Sequence, residues 1–490
     1  MKKHSLLSIC VLLMGIGTLS AQNARQLTLD ESIQIAQENS PESRSARFAL
    51  LASKWNYRSF RADLLPTFSI NGNAPNFNQS INTIVLDDGT QVFRSNTQSE
   101  ASISASVEQE ILPTGGSISL SSTINRLGVF QGENTYFWQS NPLVVTLNQP
   151  LYQFNSLKWR NRTEPLRYKI AQTQFIEDME DLAISTAQNF FAVLLSQINI
   201  EVAEFNLAIN DSIYDIAQGR FNVGKIAENE LLQSELALRN SEGALNTARI
   251  NYLRNLNAFK LLLGFSLETQ IEVIPPNDAP DVLVTIEKAL QLANENNSQA
   301  LQFRLSEIEA KRNLEQAVRQ SLFSANLTAS FGLNQTAEDF SDLYRDPQER
   351  QFFTVGFQVP IFNWGKQRAQ VNAARNQQRR LANDIAYQQQ LFDLQVQNTI
   401  REFQQLKNQV DLAAKSDTIA IKRYDVTKNR YLIGRVDITE LNIAQRDRDA
   451  ARRGFISALS NFWAGWYDLR RLTLYDFVRD EPIQYESVID

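Results

Sequence analysis

The sequence predicts an α+β protein made of two similar halves, in which long α-helices alternate with sets of amphipathic β-strands. Three observations support this prediction. The chain repeats its own sequence, each half contains a long region rich in Ala, Leu, Gln, Arg and Glu, and the intervening stretches alternate apolar with polar or small residues. Strong helix formers with apolar residues three and four apart indicate helices, whereas a period of two indicates strands.

The first 21 residues are typical of a secretory signal peptide. Lys2 and Lys3 precede an apolar run over residues 6–19, and the small residue Ala21 suits cleavage. The single Cys and the single His of the chain both lie in this leader. Without them the mature chain has no Cys nucleophile, no His base and no Cys or His metal ligand.

Nothing else in the sequence points to an enzyme. Carboxylate-only chemistry remains open, but no Gly-rich phosphate loop or nucleophile elbow is found. We therefore expect no catalytic residue, no cofactor and no metal site. The formal charge falls from −6 to −8 when Lys2 and Lys3 leave with the leader, which argues against a nucleic-acid partner. We expect no membrane helix after the leader, so a membrane-spanning form would have to be a closed β-barrel.

The two halves keep a constant register over long distances. LTLDESIQIAQENS at 27–40 matches VTIEKALQLANENN at 284–297 with an offset of 257 residues. From NQPLYQF onward the offset is 210, so RFNVG at 220–224 matches RYLIG at 430–434. The offset falls by 47 residues, from 257 to 210, so the first half contains an insertion. Its alternating pattern predicts an extra hairpin over Ala101 to Leu127.

The long regions predict rods and the alternating stretches predict strands. A helix from about Leu157 to Val223 would be roughly 100 Å long. The strands, at roughly 10 residues each, fit a tilted membrane-spanning strand. The pattern alone leaves open a small soluble sheet packed on a helix bundle. Four to six strands cannot close a water-filled barrel, so a barrel would need several chains.

Together these features resemble the TolC-like outer-membrane efflux proteins over nearly the whole mature chain. The resemblance rests on LTLDESIQIAQENSP, on the junctions NQPLYQF and VPIFNWG, and on RFNVG and RYLIG, each followed by EL. It implies an α+β membrane protein with a trimeric transmembrane β-barrel of four to six strands per chain. A long periplasmic α-helical coiled-coil tunnel would continue this barrel. The extra hairpin would either widen the barrel or fold over its outer mouth.

The resemblance also divides the chain into segments. Pro150 and Pro360 mark the two strand-to-helix junctions. The expected segments are a signal peptide (1–21), a first N-terminal helix (22–65), first-repeat barrel strands with the inserted hairpin (66–150), a first helical hairpin (151–274), a second N-terminal helix (275–322), second-repeat barrel strands (323–360), a second helical hairpin (361–474) and a C-terminal tail (475–490).

The repeated Arg-aromatic-x-x-Gly stretch predicts the turn of each helical hairpin. Gly224 and Gly434 can take the left-handed conformation that ends a helix, and Asp437 with Glu440 can cap the next helix. Ala227 stands at the position that matches Asp437, so the first cap must differ. The alternative interpretation is an ordinary helix–helix connection that binds no partner. The resemblance implies a periplasmic tip where an adaptor docks, formed by Arg220, Phe221, Gly224, Lys225, Arg430, Tyr431, Gly434 and Arg435.

The same resemblance implies a gate near this tip. Glu440 falls at a position where the family places a carboxylate of its constriction, while the next such position is Ile443. Glu230 would accept a hydrogen bond from Tyr431 and hold the two hairpins closed. Glu440→Gln should then weaken cation preference, and Tyr431→Phe should raise the closed-state conductance. The alternative is that Glu440 only caps its helix with Asp437.

The function implied is that of the outer-membrane exit duct of a tripartite efflux pump in a Gram-negative bacterium. Expected partners are two further copies of the chain, a periplasmic adaptor (membrane fusion) protein, an inner-membrane pump of the RND or ABC type, and outer-membrane lipid. Two alternatives remain open. One is a channel for type I protein secretion, and the other is a secreted coiled-coil scaffold.

Overall fold

A computed structural model describes residues 25–131, 133–276, 280 and 282–485 of the chain. The predicted signal peptide, 1–21, and residues 486–490 of the predicted C-terminal tail lie outside the described residues. The chain forms two compact units. The helical unit comprises the described parts of Met1–Arg44, Asp181–Asp281 and Phe403–Tyr467. The sheet unit comprises those of Ser45–Glu180, Val282–Glu402 and Asp468–Asp490.

Both repeats contain four helices in the same order. They are α1 (Leu29–Asn39), α2 (Pro41–Ala62), α3 (Ser156–Asn222), α4 (Glu228–Leu262), α5 (Ile286–Asn296), α6 (Ser298–Ser321), α7 (Lys366–Leu432) and α8 (Ile438–Thr473). Helices α3 and α7 each contain 67 residues, which corresponds to about 100 Å at 1.5 Å per residue. The predicted rod from Leu157 to Val223 is confirmed to within one residue at each end.

Each predicted N-terminal helix is in fact a pair of helices. Helix α1 begins with a capping box, in which Thr28 Oγ1 accepts from Glu31 N (3.3 Å) and Glu31 Oε2 accepts from Thr28 N (3.0 Å). Hydrogen bonds from the Thr28 backbone and side chain lower the pKa of Glu31. Helix α2 begins at Pro41, a residue that suits the first helical position because its missing N–H would have no partner there. Ser298 begins α6 at the matching position, so the break between the two helices survives without proline.

Six strands form one antiparallel sheet in the sheet unit, in the order β2-β3-β4-β5-β7-β8. The strands are β2 (Thr67–Val85), β3 (Gln91–Ile111), β4 (Gly116–Gln131), β5 (Glu133–Leu151), β7 (Ser324–Ala337) and β8 (Gln348–Gln358). Short strands β1 (Arg25–Leu27) and β6 (Ile271–Val273) pair in the helical unit, and β9 (Tyr475–Asp476) pairs with β10 (Glu481–Pro482).

The predicted hairpin at 101–127 is part of this sheet. Its strands are β3 and β4, which lie side by side between β2 and β5, so the insertion widens the sheet. The strands are longer than expected, since β8 has 11 residues and β3 has 21. The connection between β7 and β8 is correspondingly short, because β7 extends to Ala337 and β8 begins at Gln348.

The two faces of the sheet differ in chemistry. Paired residues of neighbouring strands point to the same face, and the register places apolar residues together on one side and hydroxyl groups on the other. The apolar face includes Phe68, Ile70, Ile103, Val107, Leu120, Ile124, Val145, Phe331, Phe353, Val355 and Phe357. The polar face includes Ser69, Ser104, Ser106, Ser119, Ser121, Thr146, Ser330 and Thr354.

Much of the apolar face is uncovered in the single chain. Phe353 is 71% exposed and Phe357 is 75% exposed. Strands β2 and β8 each pair on one side only, so the sheet has two open edges. A small soluble sheet packed on a helix bundle would cover such a face. Both features therefore favour a sheet that is completed by lipid and by other strands.

Helix α3 bears on the expectation that no membrane helix follows the leader. By length and composition it is the one described helix that is apolar enough to cross a bilayer. This is weak evidence for a membrane span, because a packed core helix meets the same criterion. Phe190 and Phe191 of α3 are buried, and Phe190 lies 6.1 Å from the ring of Phe259 on α4. At these residues α3 packs against α4.

Candidate functional site

The two predicted turns connect α3 to α4 and α7 to α8, and they have the same backbone structure. Gly224 has φ +72° and Gly434 has φ +75°, which confirms the left-handed conformation expected at both glycines. Gly224 N donates to Phe221 O (2.8 Å), and Lys225 N donates to Arg220 O (2.9 Å). The second turn has the equivalent pair of bonds at 2.9 Å. Both are Schellman motifs, which satisfy carbonyl groups left free at a helix end.

The two helices that follow are capped differently, as the sequence predicts. Asp437 Oδ1 accepts a hydrogen bond from Glu440 N at 2.9 Å. Ala227 occupies the matching position with no side-chain cap. Only half of the capping box forms in α8, since no hydrogen bond to the Glu440 carboxylate is found among the described residues. Glu440 is exposed, so its carboxylate is free to act elsewhere.

Arg220 links the two turns. Its guanidinium lies 5.6 Å from the centre of the Tyr431 ring, and its Nη2 donates to Leu432 O at 3.3 Å. The hydrogen bond expected from Tyr431 to Glu230 is not formed in the described part of the chain. Burial raises the pKa of Tyr431, Arg220 opposes this, and the charge of Glu230 adds to it. Glu230 is therefore a neighbour of Tyr431 but not its hydrogen-bond partner.

The predicted docking residues divide into a buried pair and an exposed set. Tyr431 is only 6% exposed and packs with Ile213, Tyr424, Ile438 and Leu441. Tyr431 and the half-buried Arg220 therefore hold the turns together. The exposed residues are Phe221, Gly224, Lys225, Arg430, Gly434 and Arg435.

The sequence analysis missed two exposed apolar residues at the turns. Val223 is 68% exposed and Ile433 is 67% exposed, and each precedes the turn glycine. Their identical place in the two repeats could have revealed them. Each turn thus presents exposed apolar side chains beside basic ones.

A second link between the hairpins involves Arg448 of α8, which the sequence analysis also missed. Its guanidinium lies 4.6 Å from the ring centre of Phe205 on α3 and 4.3 Å from that of Tyr424 on α7. It donates to Asn206 Oδ1 (2.8 Å) and pairs with Asp449 (2.7 Å). Asn206 Nδ2 in turn donates to Asp449 Oδ2 at 2.7 Å. We call these five residues the Arg448 cluster.

Next to this cluster lies a polar groove of about 750 Å³ between α3, α4 and α8. Small residues, amide and hydroxyl groups and a few charged side chains line it. Asn210 Nδ2 donates to Ser241 Oγ at 2.7 Å. The Asn210 Oδ1 and Gln445 Oε1 atoms are buried without a hydrogen-bond partner. Both residues line the groove, so two amide side chains beside it each keep a buried oxygen without a partner.

The structure places the two junction prolines in the sheet unit. Pro150 pairs with Asn326 near the end of β5, whereas Pro360 lies just after β8. Each stands at the sixth position before its long helix, α3 or α7. Within the described ranges, no group of three or more His, Cys, Asp or Glu residues could hold a metal ion.

An open-edged amphipathic sheet combined with two long helical hairpins defines a class of protein, the outer-membrane channels. A membrane protein from Pseudomonas aeruginosa has this fold, with a TM-score of 0.65 at 15% identity, covering 91% of this chain and 90% of that one. The CmeC outer membrane channel of Campylobacter jejuni gives a TM-score of 0.64 at 16% identity, covering 92% and 88%.

Sequence comparison identifies the family. The model of the family described as "Outer membrane efflux protein" matches residues 114–265 and 289–473. The chain therefore belongs to the outer membrane efflux protein family, a family of non-enzymatic outer-membrane transporters. Outer membrane protein TolC of Escherichia coli K12 is 28% identical over 258 residues, which is 48% of this chain and 50% of that protein. The alignment thus spans about half the length of the curated relatives.

Proposed function

We propose that the chain forms an outer-membrane efflux channel, the exit duct of a tripartite pump in a Gram-negative bacterium. The observation that carries this proposal is the open-edged sheet with one apolar and one hydroxyl-rich face. In a bilayer every backbone N–H and C=O must be paired, so an open edge is not tolerated. Pairing β8 of one copy with β2 of the next would remove both edges, and a closed ring of three copies would have a polar interior.

The helical hairpins suit a duct better than a simple pore. Helices of about 100 Å are three times longer than a bilayer core of about 30 Å is thick. Their turns would then lie deep in the periplasm, where exposed Val223, Ile433, Lys225 and Arg435 would meet an adaptor protein. The family resemblance supports an adaptor protein as this partner, joined to an inner-membrane pump of the RND or ABC type.

Two alternatives make different demands on the protein. A channel for type I secretion would use the same trimer, with an exported polypeptide as cargo and an ABC-type pump. A secreted coiled-coil scaffold would not insert in lipid, and its apolar sheet face would need a protein cover. The exposed Phe353 and Phe357 side chains favour the membrane forms.

The assembly can be tested on protein extracted from membranes. We expect native mass spectrometry in detergent to give three chains per particle, and the same particles to conduct ions in planar bilayers. A particle of one chain, or a mature protein found only in the soluble fraction, would rule the proposal out. Intact trimers that conduct ions could still come from a protein whose deletion leaves efflux from the cell unchanged. That result would leave type I secretion as the function.

We expect Glu440→Gln to lower the cation preference of the open channel by about twofold or more. In a trimer, three Glu440 carboxylates near the axis would form a ring of like charge that attracts cations. The measurement is the reversal potential in a salt gradient across a planar bilayer. Glu230→Gln is the matched control, since Glu230 is the repeat mate of Glu440. If wild-type and Glu440→Gln trimers have equal ion selectivity, Glu440 does not form the acidic ring and is only a residue of the first turn of α8.

A further inference from the structure

A single arginine lies on the apolar face of the sheet, towards the end of β4. In the register, Arg126 pairs with Ala101 on β3 and with Trp138 on β5. It stands two residues beyond Ile124, which pairs with Ile103 on the apolar face. Arg126 is exposed. A guanidinium on a lipid-facing surface needs a physical reason, because its cost is highest at the bilayer midplane and small near the interfaces.

The position of Arg126 along β4 indicates how deep the guanidinium would lie in the bilayer. Strand β4 begins at Gly116, at the end of the sheet from which α3 and α7 continue. A tilted strand crosses the hydrocarbon core in about 9–11 residues. Arg126 follows Gly116 by about ten residues, so it would stand at the opposite interface, level with the headgroups of the outer leaflet. Charge at this depth is tolerated.

Aromatic rings surround the guanidinium and agree with this depth. Arg126 Cζ lies 4.2 Å from the ring centre of Tyr136 and 5.5 Å from that of Trp138. Phe130 meets Tyr136 edge-on at 6.1 Å, and Phe340 meets Trp138 at 5.0 Å. Aromatic residues concentrate where a barrel passes from hydrocarbon to headgroups. The rings also fix the guanidinium in place, so that it loses little freedom on binding.

No carboxylate neutralises this guanidinium within the described residues. Glu100 is the nearest acidic residue in the register, opposite Leu127, and it faces the polar side of the sheet. There its Oε1 accepts from Asn125 Nδ2 at 2.9 Å. On β3, the residue of the apolar face opposite Arg126 is Ala101, and the next one along the strand towards Gln91 is Ser99, both of them small. This flank therefore has room for a ligand group beside an unpaired cation.

We propose that Arg126 binds a phosphate group of a phosphorylated glycolipid headgroup in the outer leaflet, with one site per subunit. A guanidinium offers paired N–H donors that match a phosphate, and such charge-assisted pairs are strong where water is scarce. The occupant is a lipid, because the same face continues into Ile124 and Ile103, which acyl chains would cover. Ser99 offers one further hydroxyl donor. This inference rests on the proposed membrane function.

The test uses the detergent-purified full-length trimer and bisphosphorylated lipid A as the probe. Native mass spectrometry should resolve three tight sites per wild-type trimer. Arg126→Gln should weaken lipid A binding about tenfold or more, the effect expected from losing a charge-assisted pair. Arg94→Gln is the matched control, because Arg94 is an exposed arginine of the same hairpin on the opposite face. It should bind lipid A as the wild type does.

Further variants and lipids distinguish a wrong binding site from a wrong proposed function. Arg126→Lys keeps the charge but loses the paired donors, so its affinity should fall between those of the wild type and Arg126→Gln. The wild type should bind lipid A without phosphates weakly. Its affinity should be no higher than that of Arg126→Gln for intact lipid A. Intact, conducting Arg126→Gln trimers with unchanged lipid A affinity would overturn the site, as would displacement of lipid A by equimolar inorganic phosphate. Failure of the wild type to form a conducting trimer would instead count against the proposed function.

Discussion

Arg470→Met is expected to destabilise the sheet unit by about 3–5 kcal/mol, because it would leave a buried carboxylate without its partner. Arg470 Nε and Nη2 each donate to a different oxygen of Glu180 at 3.0 Å. Its Nη1 donates to Asp476 Oδ2 at 2.6 Å, and the Tyr485 hydroxyl donates to Glu180 Oε1 at 2.6 Å. The side chain of Glu180 has no exposed surface.

Electrostatics in this cluster favour the ion pair despite its burial. Burial lowers the pKa of Arg470, but the hydrogen bond and the charge of Glu180 outweigh this effect and raise it above the ordinary value of arginine. The cluster also fastens Asp476 and Tyr485 of the C-terminal segment to α3 and α8. Its loss should therefore loosen the segment as well as the contact between α3 and α8.

The effect can be measured as the midpoint of denaturant unfolding of the trimer in detergent, followed by near-ultraviolet circular dichroism. Arg239→Met is the control, since Arg239 and Glu242 form an exposed pair in which the side chains are 63% and 46% accessible. Such pairs contribute about 1 kcal/mol or less. The double variant Arg470→Met with Glu180→Leu should recover much of the loss, because it removes both charges. Equal stability of Arg470→Met and Arg239→Met would contradict the expected role.

The sequence alone predicted the elements with strong local signals. A long uninterrupted helical pattern fixed α3 to within one residue at each end, because packing did not have to override local preference. The register of the two repeats pointed to Gly224 and Gly434, whose left-handed backbone follows from the lack of a Cβ. Alternation also predicted the inserted hairpin over Ala101–Leu127.

Contacts between distant segments were not predictable in this way. The ends of β3 and β4 depend on pairing with neighbouring strands, and pairing extends well past the apolar residues that signal a strand. Arg448 and Arg470 look like ordinary surface charges in an Arg-rich helix, because their partners come from α3. The hydrogen bond expected between Glu230 and Tyr431 is not found among the described residues, where the Arg220 guanidinium lies 5.6 Å from the centre of the tyrosine ring.

Arg448→Met is expected to open the closed channel by breaking the link between the two helical hairpins. Arg448 is held between two rings, and its partner Asp449 is 7% exposed. Without the guanidinium, Asp449 keeps only the hydrogen bond from Asn206. If the link contributes about 2–3 kcal/mol to the closed state, its loss shifts a two-state equilibrium by about 30- to 150-fold.

The closed-state conductance of single trimers in planar bilayers should therefore rise in Arg448→Met, and the time spent in the closed state should shorten. Arg446→Met is the matched control. Arg446 also lines the groove on α8, but among the described residues its side chain bonds only to Asn442 O of its own helix. Both variants should form trimers, because the sheet is untouched. If Arg448→Met and Arg446→Met trimers close as the wild type does, the hairpins are not held by the Arg448 cluster, and Arg220 with Tyr431 would be left as the restraint at the tip.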